Sequence, residues 1–273
     1  MRRVRLRGAD GTEPGVVEDG VVVTESGLRV EVVDPDTLAL PDDYELLLPV
    51  TPPEIWCAGV TYERSRDARI GESAVEDVYT LVYEAARPEL FLKDAGCRRT
   101  VGPGRPIGIR DDSTWNVPEP EIGLVLGEDG RIAGLTLGND VSSRDIEGAN
   151  PLYLPQAKVY AGACALGPAV VDLGPGLDGS LTISMRIHDG RQTLFEGETE
   201  TARMRRPFED LVDWLLRDNP VPAGSVLLTG TGLVPPDGFT LLPGHVVEIH
   251  VPEIGTLVNP VVRAAELLER RTP

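Results

Sequence analysis

The chain has only three cysteines, three histidines and a 5% aromatic share, and its 26 basic residues are outnumbered by 44 acidic ones. Cys57, Cys97 and Cys164 are odd in number, far apart and without a CxxC pair. Neither a disulfide framework nor a zinc knuckle fits them, and a reducing cytoplasm is the expected home. No apolar stretch approaches the ~18 residues that a membrane helix needs. The start, MRRVRLRGADG, lacks the apolar segment of a secretory signal and is expected to be an opening strand. The net charge of −18 disfavours nucleic acid and anionic membrane surfaces, which are held by clustered Lys and Arg. It would also repel a small anionic substrate, unless a metal or a local cation reversed the field inside the site.

Glycine and proline are plentiful instead, 30 and 24 residues, and favour turns and short strands over long helices. Short alternating stretches at Val4–Leu6 and Gly20–Val23 predict a small β-rich amino-terminal unit over residues 1–52, ahead of a larger domain over residues 53–273. Residues 54–60 have the composition of a buried strand. Val75, Val78, Leu81, Val82 and Ala85 follow helical spacing within Ser73–Ala86. The polar stretch before it, Tyr62 to Glu72, is expected to be a mobile loop or lid. Leu181, Ile183, Met185 and Ile187 alternate with polar residues, and Asp189-Gly190 then predicts a hairpin turn. Pro207 opens a helix whose apolar face is Phe208, Leu211, Val212, Leu215 and Leu216, and Asn219-Pro220 closes it. A last short helix is expected over Ala264–Arg271. The class is mostly β (α+β) with a few helices.

One constellation carries chemistry. In WNVPEPEIGLVLGEDGRIAGLTLGND, Glu119 and Glu121 are two apart, so on an extended strand both carboxylates point to one face. Pro120 between them has no amide hydrogen, which suits an irregular strand beside a site. The apolar run Ile122–Leu126, a turn at Asp129-Gly130 and a return strand to Leu137 would bring Asp140 back to the level of the glutamates. Three converging carboxylates repel unless a cation sits among them, and all-oxygen donors favour Mg²⁺, Mn²⁺ or Ca²⁺ over zinc. The alternative is a solvated strand face with a turn aspartate.

The surroundings of this pattern decide between the two. GVTYERS, PELFLK, VPEPEIGLVL, GNDVSSRD, QAK, CALGP, LLTGTG and PGHVVEIHVPEIGTLVNPV occur in order, and over roughly residues 50–262 the chain resembles the fumarylacetoacetate hydrolase superfamily. The resemblance implies a mixed β-roll and a homodimer or higher homo-oligomer. It also implies a metal, Mg²⁺ before Mn²⁺ or Ca²⁺, held by Glu119, Glu121 and Asp140. It places Arg144, Lys158 and the loop Thr229-Gly230-Thr231 at the substrate, with Thr231 the expected contact to a substrate carboxylate. Tyr62, Ser65 and Lys93 come to the pocket entrance by register alone.

The departures from the family pattern narrow the chemistry. Hydrolases of the superfamily carry a His and, three residues on, a Glu that activate water; here Ser65 and Ala68 stand at those places. His188, His245 and His250 are more simply surface or structural residues. Glu147 stands where the family often has Gln. RDIEGANPLYLPQAKVY, ERSRDAR and WNVPEPE resemble most the branch that dehydrates 2-keto-3-deoxy sugar acids. The implied substrate is thus a small 2-oxo acid, with Lys158 and Glu147 as candidate proton shuttles whose acid and base roles are undivided. An acylpyruvate hydrolase or an oxaloacetate decarboxylase of the same superfamily is the alternative. Arg144 is either a ligand clamp or an ion-pair partner of Asp145.

Overall fold

The computed structural model describes residues 1–66, 76–173 and 180–269. Its strands in chain order include β1 (Arg2–Gly8), β2 (Gly11–Glu18), β3 (Val21–Thr24), β4 (Arg29–Glu31), β5 (Glu54–Gly59), β6 (Glu89–Ala95), β7 (Pro120–Leu126), β8 (Ile132–Asp140) and β9 (Cys164–Val171). They continue with β10 (Thr182–His188), β11 (Thr193–Glu200), β12 (Val226–Leu228), β13 (Val246–Val251) and β14 (Gly255–Arg263). A twelve-stranded sheet runs β4-β3-β2-β1-β9-β8-β7-β12-β5-β6, with Glu45–Leu46 and Thr100–Val101 added at β1 and β9. A five-stranded sheet runs β11-β10-β13-β14 and ends on the short strand Ile107–Ile109.

Burial explains this layering. β7 is buried at every position and β9 likewise, as expected of central strands covered on both faces. β10 alternates: Ile183, Met185 and Ile187 are inside while Thr182 and Arg186 face water. Ile122, Leu124, Leu135 and Leu137 of the large sheet meet Ile183, Met185, Ile249 and Leu257 of the small one in the main apolar core. Each such side chain stabilises the fold by about 1.5–3 kcal/mol when fully buried. Ile55, Cys57, Cys164, Leu166 and Leu228 form a second cluster. The amino-terminal strands gather around Val4, Leu6, Val22, Val30 and Leu38, and β1 is hydrogen-bonded to β9 at Arg2↔Val171.

The helices are short: α1 (Glu76–Glu84), α2 (Arg144–Ala149), α3 (Leu154–Lys158), α4 (Phe208–Leu216) and α5 (Ala264–Glu269). Pro207 caps α4, and Leu211, Val212 and Leu215 are its buried face. The helix ends at Leu216, three residues before Asn219, because Arg217 is already extended and Asp218 turns into the left-handed region, φ 57°. α1 corrects the sequence pattern. Val78 and Leu81 are exposed and Tyr79 is buried. Tyr83 offers its ring to the guanidinium groups of Arg66 and Arg205, so the aromatic residues and not the valine-leucine stripe face the body. Most of the expected lid, and Ala68 within it, lies outside the described residues.

Candidate active site

β7 and β8 form the hairpin that builds the site. Gly130 takes φ +73° in its turn, and the Gly127 amide donates to the Arg131 carbonyl at 2.8 Å. The register pairs Pro120 with Asn139 and Glu121 with Gly138, and the Asp140 amide donates to the Glu119 carbonyl at 3.0 Å. Asp140 therefore lies level with Glu119, across the ladder. Asn139 tightens the junction by accepting from the Glu119 amide at 3.1 Å. Glu119, Glu121 and Asp140 are 3%, 1% and 1% exposed, and each offers an oxygen within 4.8 Å of the others.

Buried cations surround the three acids. The Lys158 ammonium, at the end of α3, donates to Glu119 Oε2 at 2.6 Å and to Asp140 Oδ2 at 2.8 Å. Arg144, the first residue of α2, places Nη2 at 2.9 Å from Glu119 Oε1 and Nη1 at 3.8 Å from Glu147 Oε2. Asp145 turns the other way, accepting from the Ser113 hydroxyl at 2.6 Å and the Thr114 amide at 2.7 Å. Glu121 receives the Gly230 amide at 2.7 Å. Burial, and then the neighbouring Asp140 and Glu119, push its carboxyl well above the ordinary 4.5 despite Lys158 and that amide. A cation within reach of the three oxygens relieves this repulsion, and all-oxygen donors in a buried cradle fit a hard divalent ion.

Local sequence dictates these positions. Asp145 and Glu147 in the first turn of α2 favour its amino end, and Pro155 opens α3 with its fixed φ. Asn150 between them accepts from the Leu152 amide at 3.0 Å, fixing the bend that turns Lys158 back to the carboxylates. On the opposite wall the Thr61 hydroxyl donates to the Thr229 carbonyl at 2.7 Å. Gly230, φ +86°, permits this contact, for a β-carbon there would stand 2.1 Å from Thr61 Oγ1. Val60 is held at φ +52°, a costly conformation for a β-branched residue and one met at functional walls.

The cleft so formed is narrow, with only about 20 Å³ of room for the centre of a water-sized sphere. Glu119, Glu121, Asp140, Glu147, Lys158, Ser65, Gly230 and Thr231 all line it. Ser65 turns its hydroxyl to the Tyr62 carbonyl at 2.8 Å, and Thr231 turns its own to the Leu233 carbonyl at 3.1 Å. Tyr62 packs its ring against Gly232, and Arg144 reaches the cleft through Glu119 and Glu147. Two of the histidines lie on the other sheet, His188 beside Glu248 and His250 on Thr256, and His245 sits in the turn just before β13 with its Nδ1 accepting from the Leu242 amide. None of the three lines the cleft.

Two more charged residues stand at or beside the cleft. Glu89, on β6, lines the cleft with its carboxylate against Gly59. Lys93, four residues on, is not at the entrance but fully buried, its ammonium paired with Asp140 Oδ1 and donating to the Val141 carbonyl at 3.1 Å. A compositional signal for the second was available. Of the 26 basic residues only Lys93 and Lys158 are lysines, and both are buried against Asp140.

Residues 54–262 match the model of the fumarylacetoacetate (FAA) hydrolase C-terminal family, and the chain belongs to that family. Among curated proteins it is 42% identical over 231 residues to the 2-dehydro-3-deoxy-D-arabinonate dehydratase of Saccharolobus solfataricus, covering 83% of this chain and 77% of the relative. It is 50% identical over 220 residues to a probable 2-keto-3-deoxyxylonate dehydratase of Haloferax volcanii, covering 80% and 75%. A solved 2-keto-3-deoxy-D-arabinonate dehydratase, complexed with magnesium and 2,5-dioxopentanoate, superposes with a TM-score of 0.84 at 35% identity, over 96% of this chain and 99% of that one.

Proposed function

We propose that this chain is a magnesium-dependent hydro-lyase that converts 2-keto-3-deoxy-D-arabinonate into 2,5-dioxopentanoate and water. The observation that carries the proposal is the buried triad of Glu119, Glu121 and Asp140 sharing one cleft with Lys158 and Glu147. The dehydratase relatives support the choice of substrate. Serine, not a histidine, lines the cleft where a hydrolase of the family activates water.

Glu119, Glu121 and Asp140 would hold the cation. When bound, it supplies Lewis-acid polarisation of the 2-oxo acid, worth several kcal/mol of charge stabilisation, and so acidifies C3. The residues of the chain do the rest. A base removes a proton from C3 and an acid protonates the C4 hydroxyl, which leaves as water and creates a C3–C4 double bond. Loss of a proton from C5 and return of one to C3 shift that bond to C4–C5. The resulting enol takes a proton at C4, loses the one on its C5 hydroxyl and becomes the C5 aldehyde. Lys158 and Glu147 are the proton carriers, and Glu89 on the facing wall is a third group within the same cleft. Arg144 holds Glu119 and Glu147 in place, and the Gly230-Thr231 loop closes the side where the substrate carboxylate would lie. We also infer a cytoplasmic homodimer or higher homo-oligomer from the family resemblance. No helix among the described residues is long and apolar enough to cross a membrane. Light scattering tests the assembly.

The direct test incubates the protein with Mg²⁺ and 2-keto-3-deoxy-D-arabinonate and follows the aldehyde, with a chelator as control. Aldehyde formation that stops on chelation is the expected result. Cleavage of acylpyruvates or loss of CO₂ from oxaloacetate, with no aldehyde from the sugar acid, overturns the proposal.

A further inference from the structure

The two oxygens of Asp140 are held from opposite sides. Oδ2 faces Lys158, whose ammonium also reaches Glu119 Oε2, so Oδ2 belongs to the triad's interior. Oδ1 faces Lys93. The two lysines differ in freedom. Lys158 lines the cleft and can yield toward it. Lys93 does not line the cleft: its side chain has no exposure, it rises from β6, and the Val141 carbonyl beside Asp140 anchors its ammonium at 3.1 Å. A chain that places arginine at every basic position but Lys93 and Lys158 uses here a compact point charge, which caps one oxygen without the two-headed reach of a guanidinium.

We infer that Lys93 is a positioning residue that fixes the denticity of Asp140 and thereby the metal preference of the site. With Oδ1 committed to Lys93, Asp140 offers a single oxygen to the cation. Mg²⁺ demands near-octahedral coordination at short range and is content with one oxygen per carboxylate, whereas Ca²⁺ takes more ligands and readily accepts both oxygens of one carboxylate. Lys93 therefore disfavours the larger ion and keeps the site selective for the smaller. The inference rests on the proposed metal role of the triad, and its test separates the two.

Isothermal titration of the wild-type protein and of Lys93→Met with Mg²⁺ and with Ca²⁺ reads the ratio of the two affinities without any substrate. The expected result is a shift of that ratio toward Ca²⁺ by about tenfold or more in Lys93→Met. An unchanged ratio in folded Lys93→Met overturns the inference. Should that variant fail to fold, a crystal structure of the wild-type protein with Ca²⁺ decides: one Asp140 oxygen on the ion supports the inference, and two overturn it. Absence of any divalent-ion binding by the wild type would instead defeat the metal role of the triad itself.

Discussion

Arg144→Met removes the one guanidinium among the three buried cations that the described residues bring to the site, and leaves the side-chain length almost unchanged. Arg144 is 1% exposed and stands 2.9 Å from Glu119 and 3.8 Å from Glu147, themselves both 3% exposed. Deleting one partner of a buried ion pair costs about 3–5 kcal/mol, because the remaining charge stays desolvated. Against a typical total of about 5–15 kcal/mol, that is a large share of the fold's stability. The loss is larger in chelator than in Mg²⁺, since a dication takes over the neutralisation of Glu119 but does nothing for Glu147. Arg144→Lys recovers part of the deficit: it restores the charge but not a planar fork able to reach both carboxylates. Urea unfolding of the three proteins, each with chelator and with Mg²⁺, measures all of this. A deficit below ~1 kcal/mol, or one that grows when Mg²⁺ is added, refutes the reasoning, for it would place Arg144 outside the charge balance.

The remaining predictions concern single groups. Glu119→Gln and Asp140→Asn abolish Mg²⁺-dependent turnover while the far-ultraviolet dichroism stays that of the wild type; full activity in either would remove the triad from the chemistry. Glu147→Gln keeps Mg²⁺ binding but slows turnover by about 10²–10⁴, the usual worth of a positioned acid or base, and an unaltered rate would assign proton transfer to other groups. Of the three thiols, only Cys97 reacts with Ellman's reagent in the native protein. Burial first, and then Asp94, push its pKa up to about 11, while Cys57 and Cys164 are fully buried and raised by burial as well. A raised pKa means less thiolate, so the Cys97 rate climbs about tenfold per pH unit between pH 8 and 10; a rate flat across that range contradicts it.

The features legible in the sequence share one property: they depend on neighbours close along the chain. The β7–β8 hairpin follows from an apolar run, a turn glycine and a second apolar run, and its register alone levels Asp140 with Glu119. The alternation of β10 and the cap of α4 are local in the same sense. What escaped notice depends on contacts between distant segments. Val78 and Leu81 have helical spacing, but which face of α1 turns inward is set by Tyr79, Tyr83 and the arginines Arg66 and Arg205. The pairing of β5 with β6 sets Glu89 opposite Gly59 and buries Lys93, and no periodicity within PELFLK distinguishes its glutamate and lysine from an exposed strand face. Only the scarcity of lysine elsewhere in the chain marks that position.

That scarcity also bears on how the site tolerates so much charge. Among the described residues Glu119, Glu121, Asp140 and Glu147 are buried carboxylates, Glu89 adds another at the cleft wall, and Lys93, Lys158 and Arg144 are buried cations that touch the acids, so the acids outnumber the cations. A dication offsets that excess of negative charge before an anionic 2-oxo acid enters. Isolated buried charge is so unfavourable that groups change protonation to avoid it, as the raised Glu121 carboxyl already indicates. The cleft therefore favours the metal first and the anion second, and it admits the anion despite a chain charge of −18, because the field that matters is the local one the metal has reversed. A neutral analogue of the substrate, with the carboxylate replaced by an amide, gains nothing from this reversal and should bind the Mg²⁺-loaded protein far more weakly than the acid.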